Sequence, residues 1–158
     1  MLDQLITIDK LIFYFFNGVI ANSFFDIIMP IITNENIWAL PVILGLIYLL
    51  LKGGRRGQIT IIILIISCGL ADYSSASILK PFFERLRPSH EMLDGIRILM
   101  GKGGKYGFVS SHAANIFAAA VVLSYFYPSK KRVYFFIASM VAFSRVYIGV
   151  HYPGDIIF

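Results

Sequence analysis

Apolar residues in this chain are gathered into long unbroken runs, not into the short alternations or single stripes of a soluble fold. Ile37 to Leu51 is the first clean run. Trp38 stands at its start as an interfacial anchor, and Pro41 lies in its opening turns, where proline is tolerated. Gln58 to about Leu79 is the second run, Ser111 to Tyr127 the third, and Val133 to about Ile148 the fourth. Runs of this kind predict helices that cross a bilayer. Residues 1–33 hold two weaker pieces, parted by Ala21-Asn22-Ser23 and interrupted by Asp9, Lys10 and Asp26. The first could cross the membrane, or both could lie along its surface as amphipathic helices. A last span is expected to open near Asp155, and the natural chain is therefore expected to continue beyond Phe158. The expected fold is all-α: a polytopic transmembrane bundle of about five to six helices, the last one truncated.

Loop charge then orients the bundle. The short connections 52–56 and 130–132 each carry three Lys or Arg and no acid, which assigns both to the cytoplasmic side. Alternation of spans puts Lys80, the thirty-residue loop Pro81–Ser110, the start of the third run and His151 together on the opposite, outer face. Loops of that length are usually functional or disordered.

Composition supports a membrane protein. Of 158 residues, 58% are apolar and 15% charged, against roughly 25% charged in soluble chains, and the mean hydropathy is +0.75. The length suits one domain, residues 1–158. A net charge of +5 reports cytoplasmic loops and anionic headgroups in such a chain, and nucleic acid is not expected as a partner. Cys68, alone in the sequence, lies within an apolar run and reads as core packing. The opening MLDQLITIDK has acids where a leader peptide carries positive charge, so no cleaved leader is expected.

Three polar clusters fall on the outer face. Lys80-Pro-Phe-Phe-Glu-Arg-Leu-Arg87-Pro88 combines a compact ammonium with planar guanidinium groups suited to phosphate oxygens; it also fits basic residues snorkelling to headgroups. Val109-Ser110-Ser111-His112 opens the third run, and serines there leave backbone N–H groups facing an anion; an ordinary helix cap followed by an interfacial histidine fits as well. Ser144-Arg145 precedes His151 and Asp155, with Gly149, Pro153 and Gly154 breaking the helix around the histidine. A carboxylate beside an imidazole can fix its tautomer and free the other nitrogen to attack, or simply cap a helix.

Together these clusters resemble the signature of the type 2 phosphatidic acid phosphatase superfamily. Its first part, a lysine, six residues and Arg-Pro, matches Lys80 to Arg87-Pro88 in full. Its last part, Ser-Arg, five residues, His, three residues and Asp, matches Ser144-Arg145, His151 and Asp155. In the middle part, Pro-Ser-Gly-His, Val109 replaces the proline and Ser111 the glycine, while Ser110 and His112 are kept. The resemblance implies that His151 attacks phosphorus, Asp155 orients it, and His112 serves as acid and then base. Lys80, Arg87, Ser110, Ser111 and Arg145 would hold the phosphoryl oxygens. It implies no metal or other cofactor, and the sequence has no zinc-ligand spacing.

The implied protein is a metal-independent lipid phosphatase of the bacterial inner membrane, facing the periplasm or cell exterior, with a phosphorylated lipid as substrate and membrane lipids around it. Its size is similar to compact bacterial members acting on lipid A 1-phosphate or phosphatidylglycerophosphate; undecaprenyl diphosphate is a further family substrate. Transfer of phosphate between lipids, and non-catalytic lipid binding, remain alternatives. Arg85, Arg97, Lys102 and Lys105 read as solvated or headgroup-facing charges, His90 as a loop residue, Asp72 as a hydrogen-bond partner between helices, and Asn115 as either orienting His112 or packing beside it.

Overall fold

The structure, a computed structural model, describes residues 2–157 except Met92, with side chains from Gln4 onward. Among the described residues every regular element is helical, and the one extended pairing is an isolated bridge between Leu86 and Tyr106. Helix α1 covers Leu2–Tyr14 and ends in a π-helical turn, Phe15–Val19. Asn22 caps α2, Ser23–Thr33, and Asn34 caps α3, Glu35–Lys52. Helix α4 runs Gly54–Phe83 with a π-helical turn at Ser74–Leu79. Then follow α5, Ser111–Phe126, α6, Lys131–Tyr147, and a short α7, Gly154–Ile157.

Four clean spans were expected, and the helices divide into two pairs. α3 and α4, at 18 and 30 residues, are long and apolar enough to cross a bilayer. α5 and α6 have 16 and 17 residues, short of the roughly 20 that match a hydrocarbon core of about 30 Å. α1 and α2 meet at 115°, so they form one span only if that span is broken. α4 also continues past Leu79 to Phe83, where Glu84 takes a left-handed conformation (φ 47°) and ends it.

Packing follows chain order: α3 lies on α4, α4 on α5 and α5 on α6, while α2 and the end of α1 close against α6. Side chains in mid-helix, such as Ile62, Ile65 and Ile66 of α4, face outward, as lipid-facing residues must. The buried core instead gathers at one end. Phe13, Val146 and Tyr152 form one cluster, and Met29, Tyr147, Ile148 and Val150 another.

The two ends of the bundle differ in kind. The Arg56 guanidinium lies 5.0 Å over the Tyr127 ring, which joins the basic turns after α3 and α5 at one end. α4 carries the chain from there to Lys80, where loop 84–110, the start of α5 and the turn after α6 converge. Asn17 ties this end together. Its amide donates to Arg97 O (2.8 Å) and Tyr147 O (2.7 Å) and accepts from Arg97 N (2.8 Å). Gly149 makes the turn possible: its φ is +87°, and a Cβ there would sit 2.2 Å from Arg97 O.

Candidate active site

Each polar cluster reaches the site on a different element. The π-helical turn in α4 points Ser75 and Lys80 at the start of α5. Ser75 Oγ lies 2.8 Å from Ser111 Oγ, and Lys80 Nζ donates to the same oxygen at 2.6 Å. Such turns inside α-helices are frequent at functional sites. Ser110 caps α5, its Oγ accepting from Ala113 N at 3.5 Å, while its own N–H donates to Asp155 O at 2.8 Å. That second bond joins the start of α5 to the start of α7.

After α6 the chain turns sharply and buries His151 and Asp155, each 1% exposed. His151 Nδ1 lies 3.3 Å from Asp155 Oδ2, which also accepts from Tyr152 N at 2.9 Å. Asp155 stands in the first turn of α7, as its place after Pro153-Gly154 predicts. Arg87, largely buried in the loop, is aligned by its Nε donating to Tyr106 O at 3.1 Å. Arg145, 9% exposed near the end of α6, donates from Nη1 to Thr33 Oγ1 at 2.8 Å, and its Nε has no partner among protein atoms.

The predicted site residues therefore converge. The charges of Arg87, Arg145 and Lys80 all act on His151. Burial first, and then those charges, hold its imidazole well below the ordinary value of 6.5. A neutral imidazole with one nitrogen directed at a carboxylate can use the other as a nucleophile. Among the described residues no group of three or more His, Cys, Asp or Glu is arranged to hold a metal ion.

Several assignments change. Arg85 is no solvated charge: its Nη1 donates to Asp155 Oδ1 at 2.9 Å and its Nη2 to Asp9 Oδ2 at 2.5 Å. Arg97 pairs with Asp26 and lies over the Tyr147 ring. With Lys10–Glu91 at 2.6 Å, these contacts engage all three charges that interrupt the apolar pieces of residues 1–33. Asn115 does not serve His112; its Nδ2 donates to Asp72 Oδ1 at 3.2 Å, the interhelical bond expected of Asp72. His112 Nε2 instead lies 2.7 Å from Glu35 Oε1 at the start of α3. Lys102 and Lys105 both stay exposed, Lys105 lying over the Tyr106 ring. His90 remains a loop residue, its Nδ1 3.2 Å from Ser89 Oγ.

Asp9, Thr33, Glu35 and Ser75 thus join the site without having been read from sequence. The acids at positions 9 and 26 gave one usable signal, since a charge within an apolar segment needs a partner. Nothing marked Thr33 or Glu35.

Residues 59–158 match the PAP2 superfamily. A lipid A 4'-phosphatase of Bacteroides thetaiotaomicron is 33% identical over 99% of this chain and 72% of its own length. A protein of the same name from Porphyromonas gingivalis is 31% identical over 99% of this chain and 68% of its own. In fold, the chain resembles the crystal structure of Aquifex aeolicus LpxE, with a TM-score of 0.72 and 24% identity over 93% of this chain and 84% of that one. It also resembles a transmembrane PAP2-type phosphatidylglycerolphosphate phosphatase from Bacillus subtilis, with a TM-score of 0.68 and 23% identity over 97% and 77% of the two chains. With a match over more than half its length and two relatives above 30% identity across nearly all of it, this chain belongs to the PAP2 superfamily.

Proposed function

We propose that this chain is a membrane-embedded lipid phosphatase working through a phosphohistidine on His151. One observation carries the reading. Lys80, Arg87 and Arg145 bring three cations to a largely buried site whose buried carboxylate, Asp155, is already engaged by Arg85. Uncompensated positive charge in a buried place is costly, and a phosphate group offsets it with oxygens that suit both arginine forks.

In the first step His151 Nε2 attacks phosphorus while Nδ1–H points at Asp155. The bond from phosphorus to the lipid oxygen breaks, and the electron pair leaves with that oxygen, which takes a proton from His112. In the second step His112 removes a proton from water, the water oxygen attacks phosphorus, and the P–N bond breaks to release phosphate. Lys80, Arg87, Arg145, Ser110 and the Ser111 N–H hold the equatorial oxygens, where transition-state charge collects.

The sequence leaves the lipid open among lipid A 1-phosphate, phosphatidylglycerophosphate and undecaprenyl diphosphate, and the relatives add a further candidate. The Bacteroides and Porphyromonas relatives are both named for the 4' position, which favours the 4'-phosphate of lipid A. A phosphatidylglycerophosphate is supported by fold likeness alone. The site end, opposite the basic turns, would face the periplasm or cell exterior, level with the headgroups of the bacterial inner membrane.

The test is phosphate release by the purified chain from lipid A 4'-phosphate, lipid A 1-phosphate, phosphatidylglycerophosphate and undecaprenyl diphosphate. Release should be fastest from the 4'-phosphate and should vanish in His151→Ala, and denaturation in alkali, where a P–N bond survives, should trap label on the wild-type protein only. Wild-type rates in His151→Ala would overturn the mechanism.

A further inference from the structure

We propose that Arg85 and Asp9 are positioning residues for the His151–Asp155 pair, so that the N-terminal helix completes the reaction centre. This rests on the phosphatase reading above and deepens it. Asp155 has two oxygens with separate duties. Oδ2 faces His151 Nδ1 at 3.3 Å and takes the Tyr152 N–H, while Oδ1 takes Arg85 Nη1 at 2.9 Å. A contact of 3.3 Å is a long hydrogen bond, and a modest turn of the carboxylate about its Cβ–Cγ bond would break it. Arg85 sets that turn.

Arg85 is itself held on three sides. Its Nη2 donates to Asp9, its guanidinium lies 4.4 Å over the Tyr152 ring, and its carbonyl accepts from Gly107 N at 2.8 Å. Asp9 then closes the circle, since its second oxygen accepts from Gly154 N at 2.7 Å, on the residue just before Asp155. One side chain of α1 thus holds both the arginine that aims the carboxylate and the backbone that carries it. On the far side Gly107 packs so closely that a Cβ would lie 2.8 Å from Asp155 Oδ2, which leaves the carboxylate little room for other orientations.

The same bonds separate Arg85 from the phosphate-holding arginines. Both of its terminal nitrogens are engaged by carboxylates, whereas Arg87 donates to protein only from Nε and Arg145 keeps its Nε unpartnered among the described residues. Asp9 lies outside residues 59–158, the part that matches the family.

The pH response separates aiming from mere strapping. Arg85 and Arg87 act on Asp155, and Arg87, Arg145, Lys80 and His112 act on His151. Losing Arg85 leaves Asp155 less compensated and therefore better able to stabilise an imidazolium on His151. Measured on the fastest substrate of the lipid panel, Arg85→Gln should lower kcat about 10- to 100-fold, the scale of a misplaced reacting group. KM should stay within about 3-fold, and the acid limb of the pH–rate profile should move toward neutral pH. Asp9→Asn should also lower kcat, but less, while its acid limb should move to lower pH, because Arg85 released from Asp9 compensates Asp155 more fully. The double variant should lose no more kcat than Arg85→Gln alone, because both act through one carboxylate. Arg85→Lys keeps the charge but not the planar fork that presents a separate nitrogen to each carboxylate, and should recover part of kcat.

Wild-type kcat and acid limb in Arg85→Gln or Asp9→Asn, with or without a lower melting temperature, would overturn the proposal. If Arg85→Gln does not accumulate, Asp9→Asn and Arg85→Lys decide the matter by the same two readouts. Activity surviving His151→Ala, or a wild-type chain inert on the whole panel, sinks the phosphatase reading and this proposal with it. An inactive His151→Ala beside an unaltered Arg85→Gln sinks the positioning role alone.

Discussion

His151 is 1% exposed, and its surroundings decide what it can do. Burial removes the water that would solvate an imidazolium, and the nearby cations add repulsion, so the protonated form is disfavoured twice. The sign follows directly. In the proposed mechanism the attacking nitrogen of His151 must be unprotonated, so activity should fall as the pH drops through the folded-state value, which lies well below 6.5. The acid limb of kcat/KM, which reports the free enzyme's nucleophile, is therefore expected below pH 6.5 in the wild-type chain, and an acid limb at or above that pH would contradict it. Of the residues around this site, Lys80, Arg87, Ser110, Arg145 and Asp155 are marked in the sequence by their resemblance to the family signature. Glu35 could not, because its approach to His112 depends on the corner between α2 and α3.

Among the helices, α1 and α2 are the least legible in sequence and the most consequential for the site. Their charges weaken them as spans, yet in the folded chain they hold loop 84–110 through Asp9–Arg85, Lys10–Glu91 and Asp26–Arg97. Thr33, at the end of α2, reaches the buried Arg145. Asn17 is the central fastener, because it satisfies both backbone groups of Arg97 together with Tyr147 O. Asn17→Ala would leave those groups unpaired in a buried place, at a cost on the order of 2–4 kcal/mol. A lower melting temperature in detergent and faster proteolysis within 84–110 are the expected signs; an unchanged melting curve would show that the loop is held elsewhere.

The molecule as a whole is polarised along its helices. Basic turns occupy one end, joined by Arg56 and Tyr127, and the candidate site occupies the other. If loop charge orients the chain as the positive-inside rule requires, a cysteine at the exposed Lys102 should react with a membrane-impermeant thiol reagent in intact cells. A cysteine at the exposed Ser129 should react only after lysis. The measurement is best made with Cys68→Ser, since Cys68 is half-buried and carries a free thiol. The reverse labelling pattern would place the site on the cytoplasmic side and remove the outer-leaflet lipid as substrate.

Hydropathy, loop charge and motif spacing are local properties, and they were enough to read a helical membrane protein with its reactive residues at one end. They also led to the PAP2 superfamily through Lys80–Pro88, Ser110–His112 and Ser144–Asp155. Partnerships formed by packing were not legible in the same way. Asp9 and Arg85 are separated by 76 positions and Arg145 and Thr33 by 112, and no periodicity links residues so far apart. Their meeting follows from the sharp corner between α1 and α2, the π-helical turn before Lys80 and the tight turn at Gly149. The stretch from Ser144 to Asp155 supplies the buried His151–Asp155 pair, while the folded N-terminal segment reaches it only through tertiary contacts, Asp9 bonding both Arg85 and the Gly154 N–H beside Asp155.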